Sequence, residues 1–393
     1  MTHPAGVPSR PVNFSERPML VFWEVTRSCL LACRHCRASA MFGALPGQLS
    51  HDEGIDLIDQ VAAFGRPYPI LVLTGGDCLL RDDIFELVAH ANELGVPVCL
   101  SPSVTPMLTP EAIETMATSG VKAVSISLDG ACAETHDGVR GIPGHFDKTI
   151  PAIRALVDAG LTVQINTTVM SGNVHEMPDI AKIVADTGAH MWEVFFLVPV
   201  GRGVATGALT PEQDEDVCHF LFDASHHGFV VRTVEAPFFR RVVHTRRNGG
   251  APPTTALYAE LSGRLESLLG EGRARASAHT AATRDGKGIL FVAHDGEVYP
   301  AGFLPLGLGS VREQPLATIY RDHPTLRAIR AAEFSGKCGV CEFADLCGGS
   351  RARAYAASGD PLFEDAACLY EPDGQVDLVD PANDPSALVA SGA

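Results

Sequence analysis

The chain has 393 residues, of which 46% are apolar and 20% are charged, and its 30 Lys and Arg against 47 Asp and Glu give a formal net charge of −17. This apolar share excludes a disordered chain, and the acidic balance argues against nucleic acid as the main partner. No signal peptide or membrane-spanning stretch is visible, so we expect a cytoplasmic protein. Eleven cysteines cannot all pair, and cytosolic thiols rarely form disulfides, which favours metal or redox chemistry.

Strands and helices are predicted to alternate over the first half of the chain. Apolar runs rich in β-branched residues predict strands at Leu20–Val25, Ile70–Leu73, Val96–Leu100, Ala123–Leu128, Thr162–Val169 and Trp192–Val198. Helical patterns lie between most of them, at Ile55–Phe64, Ile84–Leu94, Ala112–Met116, Ile150–Val157 and Ile180–Ala185. This alternation predicts an α/β fold with a parallel sheet, and six units suit a partial (β/α)6, TIM-like barrel that stays open.

The second half of the chain differs from the first in composition and in its order of predicted elements. A helix at 211–222 and a strand at 229–234 precede an Arg-rich stretch with one helix near 257–269, and a hairpin follows at 289–300. A cysteine-rich segment covers 338–368, and the acidic end is rich in Pro and Ala. We therefore divide the chain into a lead-in (1–18), the barrel (19–235), an Arg-rich insertion (236–287), a small C-terminal domain (288–371) and a flexible tail (372–393).

Three cysteines follow the first predicted strand in the spacing C-x3-C-x2-C: Cys29, Cys33 and Cys36. Three thiolates on one loop can ligate three irons of a 4Fe–4S cluster and leave the fourth iron open. A zinc site normally has a fourth ligand, which is absent nearby, and the remaining alternative is a set of unrelated core cysteines. The spacing and its place after a strand favour the cluster.

This arrangement resembles the radical S-adenosylmethionine (SAM) superfamily, and the resemblance covers about residues 19–200. It implies that Cys29, Cys33 and Cys36 hold the catalytic cluster and that further segments at strand ends contact SAM. The residues that match these segments are Gly75, Gly76, Asp77, Ser127, Asp129, Arg140, Asn166 and Val200. Asp77 stands where the family's G-G-E motif has Glu, and the two glycines are expected to let the backbone approach the ligand.

Other residues near these segments have simpler interpretations. Cys78, which follows the G-G-D triplet, is a small packing residue or a hydrogen donor near the radical. Arg27, Arg34 and Arg37 surround the first cysteines and should favour a reduced cluster, while His35 is expected to pack near the adenine.

A second set of cysteines has the spacing C-x2-C-x5-C with one further member: Cys338, Cys341, Cys347 and Cys368. Four thiolates suit either zinc or a fully ligated cluster. The region resembles the SPASM/twitch-like extension of radical SAM enzymes, which implies an auxiliary 4Fe–4S cluster here. The full SPASM pattern binds two auxiliary clusters and has Cys at two positions where this sequence has Ala301 and Arg351. We therefore predict one auxiliary cluster, and two 4Fe–4S clusters in all.

The resemblance implies an enzyme that cleaves SAM reductively, forms a 5′-deoxyadenosyl radical and abstracts hydrogen from a substrate C–H bond. The segments 192–203 and 21–27 most resemble the branch that modifies propionate side chains of heme-type tetrapyrroles, and arginines at 240–247 could bind carboxylates or form a solvated basic face. The alternatives are modification of a ribosomally made peptide, or a non-catalytic iron–sulfur electron carrier or sensor. The expected partners are a tetrapyrrole or peptide substrate and a flavodoxin- or ferredoxin-type electron donor.

Overall fold

A computed structural model describes residues 13–38, 41–205, 207–278 and 282–373, and it contains one sheet of eleven strands. Seven of these strands form the barrel: β1 Leu20–Thr26, β2 Ile70–Gly75, β3 Val98–Leu100, β4 Ala123–Ser127, β5 Val163–Val169, β6 Met191–Phe196 and β7 Val230–Val234. They pair in chain order, and every pair is parallel. The predicted α/β fold with a parallel sheet is confirmed, and β7 ends the strand order on one side.

Nine helices connect or follow these strands in the described part of the chain. They are α1 His51–Ala62, α2 Ile84–Leu94, α3 Pro110–Thr118, α4 Ala133–Arg140, α5 Phe146–Asp158, α6 Met177–Thr187, α7 Pro211–Ala224, α8 Phe239–Arg247 and α9 Ala256–Leu269. The start of α1 is a capping box of Ser50 and Glu53, and Thr109 caps α3 with Pro110 in its first turn. Both caps satisfy backbone N–H groups that the first helical turn leaves unpaired.

The alternation of side chains along the strands explains how the barrel holds a polar interior. In β5, Val163, Ile165 and Thr167 are buried, whereas Gln164 and Asn166 are half-buried. The buried set belongs to the face that packs against the helices, because successive side chains of a strand point to opposite sides. The opposite face, with its amides, lines a barrel interior that stays partly open.

The C-terminal part extends the same sheet. It contains β8 Arg284–Asp285, β9 Gly288–Val292, β10 Glu297–Tyr299, β11 Gly309–Ser310, α10 Leu316–Asp322, α11 Pro324–Arg330, α12 Gly336–Val340 and α13 Arg351–Ser358. The predicted hairpin is β9 and β10, and β9 also pairs in parallel with β1, where Leu20 is opposite Ile289. The hairpin therefore covers the β1 edge of the barrel, a long-range pairing that local sequence patterns do not contain.

Two of the helices α1 to α9 were absent from the predictions, as were the four short helices α10 to α13. α4 contains a glycine and is rich in polar residues, and α8 lies in the Arg-rich stretch 236–287, for which we expected one helix. The composition of α8 is strongly polar, and its three apolar residues Phe239, Val242 and Val243, at helical spacing, are buried against the core. The expectation of a single helix in this stretch was wrong. The lead-in before residue 13 and the tail after 373 lie outside the described residues, and none of the described helices is long and apolar enough to cross a membrane.

Candidate active site

The loop after β1 brings the first three cysteines into one small cluster. Cys29 and Cys33 are buried with Leu31, and Cys36 packs against them from a half-buried position. The loop is held by its own backbone, since Cys36 N–H donates to Cys33 O at 3.3 Å and Cys29 N–H donates to Met41 O at 2.9 Å. All three thiols are free. This donor set fits three ligands of an iron–sulfur cluster.

The glycines after β2 are required by the cysteine loop itself. A Cβ atom on Gly75 would clash with Thr26 O, and one on Gly76 would clash with Ser28 O. The same backbones are hydrogen-bonded, because Gly76 N–H donates to Thr26 O and Asp77 N–H donates to Ser28 O, each at 2.8 Å. We expected these glycines to permit approach to a ligand. Their contacts show that they also permit a close crossing of two chain segments.

Asp77 joins the loops after β2 and β3. It is completely buried and accepts hydrogen bonds from Leu79 N, Ser103 N and Thr105 Oγ1, at 3.2, 3.2 and 2.6 Å. Burial raises the pKa of Asp77, although these donors oppose the shift. Asp77 therefore fixes two loops at the carboxyl edge of the sheet. Its neighbour Cys78 is also completely buried within the main core, which agrees with a packing role.

Arg140 connects the cysteine loop to the loop after β4. Its Nη1 donates to Cys33 Sγ at 3.5 Å, and its Nη2 lies 2.8 Å from Asp129 Oδ2. The other carboxylate oxygen of Asp129 accepts from Thr168 N at 2.8 Å, and His35 Nε2 lies 3.7 Å from Oδ2. Burial alone would raise the pKa of Asp129, but the charges of Arg140 and His35 lower it to about 2. The pair is therefore ionised at neutral pH.

Polar atoms at this point are buried without a hydrogen-bond partner among the described residues. They are Arg140 Nε and His35 Nδ1, while Asp129 Oδ2 and Arg140 Nη2 contact each other only in the 2.8 Å ion pair. Buried polar groups are normally paired, so this set has unused capacity for a charged ligand. A guanidinium beside a thiol loop suits the carboxylate of an amino acid such as the methionine part of SAM.

Two histidines, His136 and His145, hold the loop of Asp129 through hydrogen bonds, and the sequence analysis did not identify this pair. His136 Nδ1 accepts from Asp129 N at 3.1 Å, its Nε2 is 2.8 Å from His145 Nδ1, and His145 Nε2 is 2.9 Å from Val104 O. These partners require both rings to be neutral, with each proton on Nε2. Burial, and then the charge of Arg140, lowers the pKa of His136 to about 3, in agreement with that state. The chain of bonds positions the Asp129 loop.

The segment after β6 closes over the cysteine loop. Arg202 N–H donates to Cys36 O at 3.1 Å, and its Nε donates to Cys33 O at 2.8 Å. Gly201 has a φ of +57° and leaves no room for a Cβ beside Arg37 O. Val200, predicted to lie near the adenine, packs against a buried apolar cluster of Val198, Leu304 and Ala352.

One row of polar side chains crosses the barrel interior. Ser127 on β4 is in register with Asn166 on β5, which is in register with Glu193 on β6, and Glu193 is opposite Arg232 on β7. Gln164 donates to Asn166 Oδ1 at 2.7 Å and to Glu193 Oε2 at 2.8 Å. Ser127 and Asn166 were predicted site residues, whereas Glu193 and Arg232 were not. A charged residue at an inward-facing position of a predicted strand is the sequence feature that could have identified Glu193 and Arg232.

The second cysteine set also comes together. Cys338 and Cys347 are buried, and Cys341 and Cys368 are half-buried. Burial, and then the nearby Glu342, Cys368 and Cys338, raises the pKa of Cys341 to about 11. Burial and then Cys347 act in the same direction on Cys368, whose pKa rises to about 12. Each of the four thiols is therefore coupled electrostatically to at least one other, and their deprotonation requires a compensating positive group.

Arginines surround this second set. Arg351 Nη2 is 3.7 Å from Cys338 Sγ, and the charges of Arg240 and Arg241 act on Cys347. Such cations fit an anionic metal–thiolate group. Within the described ranges, no three Cys, His, Asp or Glu side chains are grouped so that they could hold a single metal ion.

The arginines at 240–247 are engaged inside the protein. Arg240 donates to Leu346 O at 3.2 Å and to Thr283 O, and Arg241 is paired with Glu215 at 2.6 Å. Arg246 is paired with Asp223 at 2.7 Å. For these three residues, both expectations, a carboxylate site and a solvated basic face, were wrong. Near the first site, Arg37 is paired with Glu24 at 3.0 Å and Arg27 donates to Ala38 O.

Comparison with known proteins agrees with this geometry. The radical SAM superfamily profile matches residues 23–184. An AdoMet-dependent heme synthase of Nitratidesulfovibrio vulgaris is 39% identical over 90% of this chain and 92% of its own, and one of Methanosarcina barkeri is 37% identical over 92% and 99%. An Fe-coproporphyrin III synthase of Methanosarcina barkeri is 29% identical over 92% and 90%.

Solved structures share the fold. SuiB of Streptococcus suis, solved with its precursor peptide SuiA, has a TM-score of 0.64 to this chain at 15% identity and covers 90% of this chain and 76% of its own. At that identity the likeness concerns architecture alone.

Proposed function

The chain belongs to the radical SAM superfamily, and we propose that it is an enzyme that cleaves SAM reductively and abstracts hydrogen from a side chain of a tetrapyrrole. The observation that carries this proposal is the position of Arg140 between Cys33 and Asp129, with buried polar atoms left unpaired. One cation thereby links the thiol loop to the loop that follows β4. Relatives named heme synthases, at 37–39% identity over nearly the whole chain, support the substrate class.

We assign the first 4Fe–4S cluster to Cys29, Cys33 and Cys36, with SAM at its open iron. When bound and reduced, the cluster supplies the electron that cleaves SAM and so provides the hydrogen-abstracting radical. The SAM contacts are assigned to Gly75, Gly76, Asp77, Ser127, Asp129, Arg140, Asn166 and Val200. The crossing at Gly76 and the segment at Val200 lie against the cysteine loop, which supports their place in this list.

The protein's own contribution is to hold charge and exclude water. Arg140 stays charged because its ionised partner Asp129 outweighs the effect of burial. Asp129 is held by Thr168 N on one side and through its own N–H by His136 on the other. A ligand carboxylate that reaches Arg140 therefore meets donors that need no rearrangement, which is the property that lowers the cost of binding and orientation.

We assign an auxiliary 4Fe–4S cluster to Cys338, Cys341, Cys347 and Cys368. Zinc is the alternative occupant of four thiolates, and iron and zinc analysis distinguishes it from a cluster. The surrounding arginines support an anionic cluster that takes up or relays an electron. A flavodoxin- or ferredoxin-type protein is the proposed donor for the first cluster.

The test is anaerobic reconstitution followed by iron and zinc analysis and by a SAM-cleavage assay with dithionite. We expect about eight irons per chain, no zinc, and 5′-deoxyadenosine as a product. The Cys368→Ala variant should keep about four irons, while Cys132→Ser, at an exposed thiol outside both sets, should keep eight. Four irons with one zinc would remove the auxiliary cluster, and a loaded protein that cleaves no SAM would favour an electron carrier.

A further inference from the structure

We propose that Arg232 is the anchor for a carboxylate of the substrate, a proposal that rests on the tetrapyrrole function above. Arg232 lies on β7 opposite Glu193, in the row that continues through Asn166 to Ser127. That row begins at residues assigned to SAM and ends at Arg232. A substrate held at Arg232 would therefore lie along the barrel interior beside the SAM contacts.

Two observations put the guanidinium charge of Arg232 inside the barrel. Its charge acts on Glu193 on the neighbouring strand, opposing the rise in pKa that burial causes there. The charge of Arg232 also opposes the rise in the pKa of Cys99 that burial causes, and Cys99 lies on β3. Strands β7 and β3 are separated by three others in the sheet order, so an arginine that influences both faces the enclosed side of the sheet.

Arg232 has capacity for an anion. Among the described residues, its side chain makes no hydrogen bond, ion pair or ring contact, although Glu193 is its neighbour in register. Glu193 is hydrogen-bonded to Gln164 instead, at 2.8 Å. Burial raises the pKa of Glu193, and the charge of Arg232 opposes that rise without a hydrogen bond between the two side chains. A guanidinium in this setting suits a bidentate carboxylate.

Apolar and aromatic groups next to Arg232 complete the match to a tetrapyrrole. Phe195 is two residues beyond Glu193 on the same face of β6, and its ring lies 6.1 Å from that of Phe303. Phe303 packs against the apolar cluster that includes Val198 and Val200. A flat macrocycle with carboxylate side chains needs both kinds of surface, an aromatic wall and a cation at its edge.

Strand β7, which carries Arg232, leads toward the second cysteine set. Glu235 follows β7 by one residue and is hydrogen-bonded to Ser350, which is three residues beyond Cys347. Arg232 is therefore on the strand that leads from the barrel interior to the auxiliary site. A substrate anchored there would have SAM on one side and the auxiliary site on the other.

The test measures binding of coproporphyrin III and of its tetramethyl ester to the anaerobically loaded protein by visible absorbance. Arg232→Gln should weaken binding of the free acid by about tenfold to a hundredfold, the size of one charge-assisted hydrogen bond, and leave the ester unchanged. Arg232→Lys should retain part of the affinity. The matched control Arg264→Gln removes an exposed arginine that pairs with Asp179, and it should change neither ligand. Iron content and circular dichroism report whether each variant is folded and loaded.

Each outcome decides the proposal. If Arg232→Gln binds the free acid as tightly as the unaltered protein, or loses acid and ester equally, Arg232 is not a carboxylate anchor, while the tetrapyrrole function stands. If the unaltered protein binds neither porphyrin, the substrate class is wrong and the anchor falls with it.

Discussion

Glu235 accepts a hydrogen bond of 2.5 Å from the Ser350 hydroxyl, and both residues are buried. Glu235 directly follows β7 of the barrel, whereas Ser350 is the N-cap of α13 and lies three residues after Cys347 of the second cysteine set. Burial, and then the neighbouring Asp285, raises the pKa of Glu235 well above its usual range. This bond joins the two parts of the molecule that the proposed reaction must couple.

Ser350→Ala should destabilise the protein by about 2–4 kcal/mol. The substitution leaves the Glu235 carboxyl without its donor and removes the N-cap of α13, where Ser350 Oγ accepts from Arg353 N at 3.0 Å. Urea unfolding of the loaded protein measures the change. Ser267→Ala, at an exposed serine of α9 whose hydroxyl makes no hydrogen bond among the described residues, should change stability by less than about 0.5 kcal/mol. Equal costs for the two variants would show that the Glu235–Ser350 bond does not stabilise the fold.

Asp214→Asn should flatten the pH dependence of stability between about pH 4 and 7. Asp214 is 5% exposed, and burial raises its pKa to about 7, with Arg353 opposing and Asp365 and Glu215 adding to the shift. The folded state thus keeps a proton that the unfolded state loses near its ordinary pKa of about 3.9. This contribution is fully present below pH 4 and is lost as the pH rises to 7, at up to about 1.4 kcal/mol per pH unit.

The measurement for Asp214 is urea unfolding at several pH values. Asp186→Asn is the control, because Asp186 is about half exposed in a surface pair with Lys182 and should leave the slope unchanged. A slope for Asp214→Asn that equals that of the unaltered protein would mean that Asp214 is already ionised when folded.

Gly76→Ala should prevent stable folding of the loop region or abolish iron loading, since its Cβ would clash with Ser28 O of the cysteine loop. A backbone clash is not relieved by a side-chain rotation, so the loop must move. Gly263→Ala is the opposite case, because Gly263 lies within α9 with open space around its Cα, and it should stabilise the protein by about 0.4–1 kcal/mol. Iron analysis and thermal unfolding distinguish the two, and normal iron content in Gly76→Ala would refute the close crossing.

Arg140→Lys should raise the Kd for SAM by at least tenfold while the iron content stays normal. Lysine keeps the positive charge, but it lacks the planar guanidinium with which Arg140 contacts Cys33 and Asp129 at the same time. SAM binding to the reduced cluster, followed by electron paramagnetic resonance, measures the affinity. Arg264→Lys serves as the exposed control. An unchanged SAM affinity in Arg140→Lys would assign Arg140 to loop structure alone.

Local patterns predicted the parts of the fold that depend on local periodicity. The parallel strands and their order follow from apolar runs separated by helices, and the capping box at Ser50 was visible as Ser and Glu three residues apart. The pairing of β9 with β1 was not visible, because it joins residues about 270 positions apart and depends on the whole barrel. α8 was missed for a related reason, since its helix is stabilised by tertiary packing rather than by its own composition.

The candidate site, like the fold, was predictable from the sequence only in part. The cysteine spacing pointed to its loop directly, and the structure puts Asp129 and Arg140 beside it. The role of the glycines at 75 and 76 and the internal pairs of Arg240 and Arg241 required knowledge of which chain segments touch. Arg232 was overlooked because one charged residue in a predicted strand has no meaning until the register shows what is beside it.

The most direct test of the central claim is transfer of deuterium from a side-chain-deuterated tetrapyrrole to 5′-deoxyadenosine, followed by mass spectrometry. With the anaerobically loaded protein, SAM and a reductant, we predict 5′-deoxyadenosine that is one mass unit heavier, and none in a Cys29→Ala, Cys33→Ala, Cys36→Ala variant. Unlabelled 5′-deoxyadenosine formed while the deuterated tetrapyrrole is bound would contradict hydrogen abstraction from its side chains.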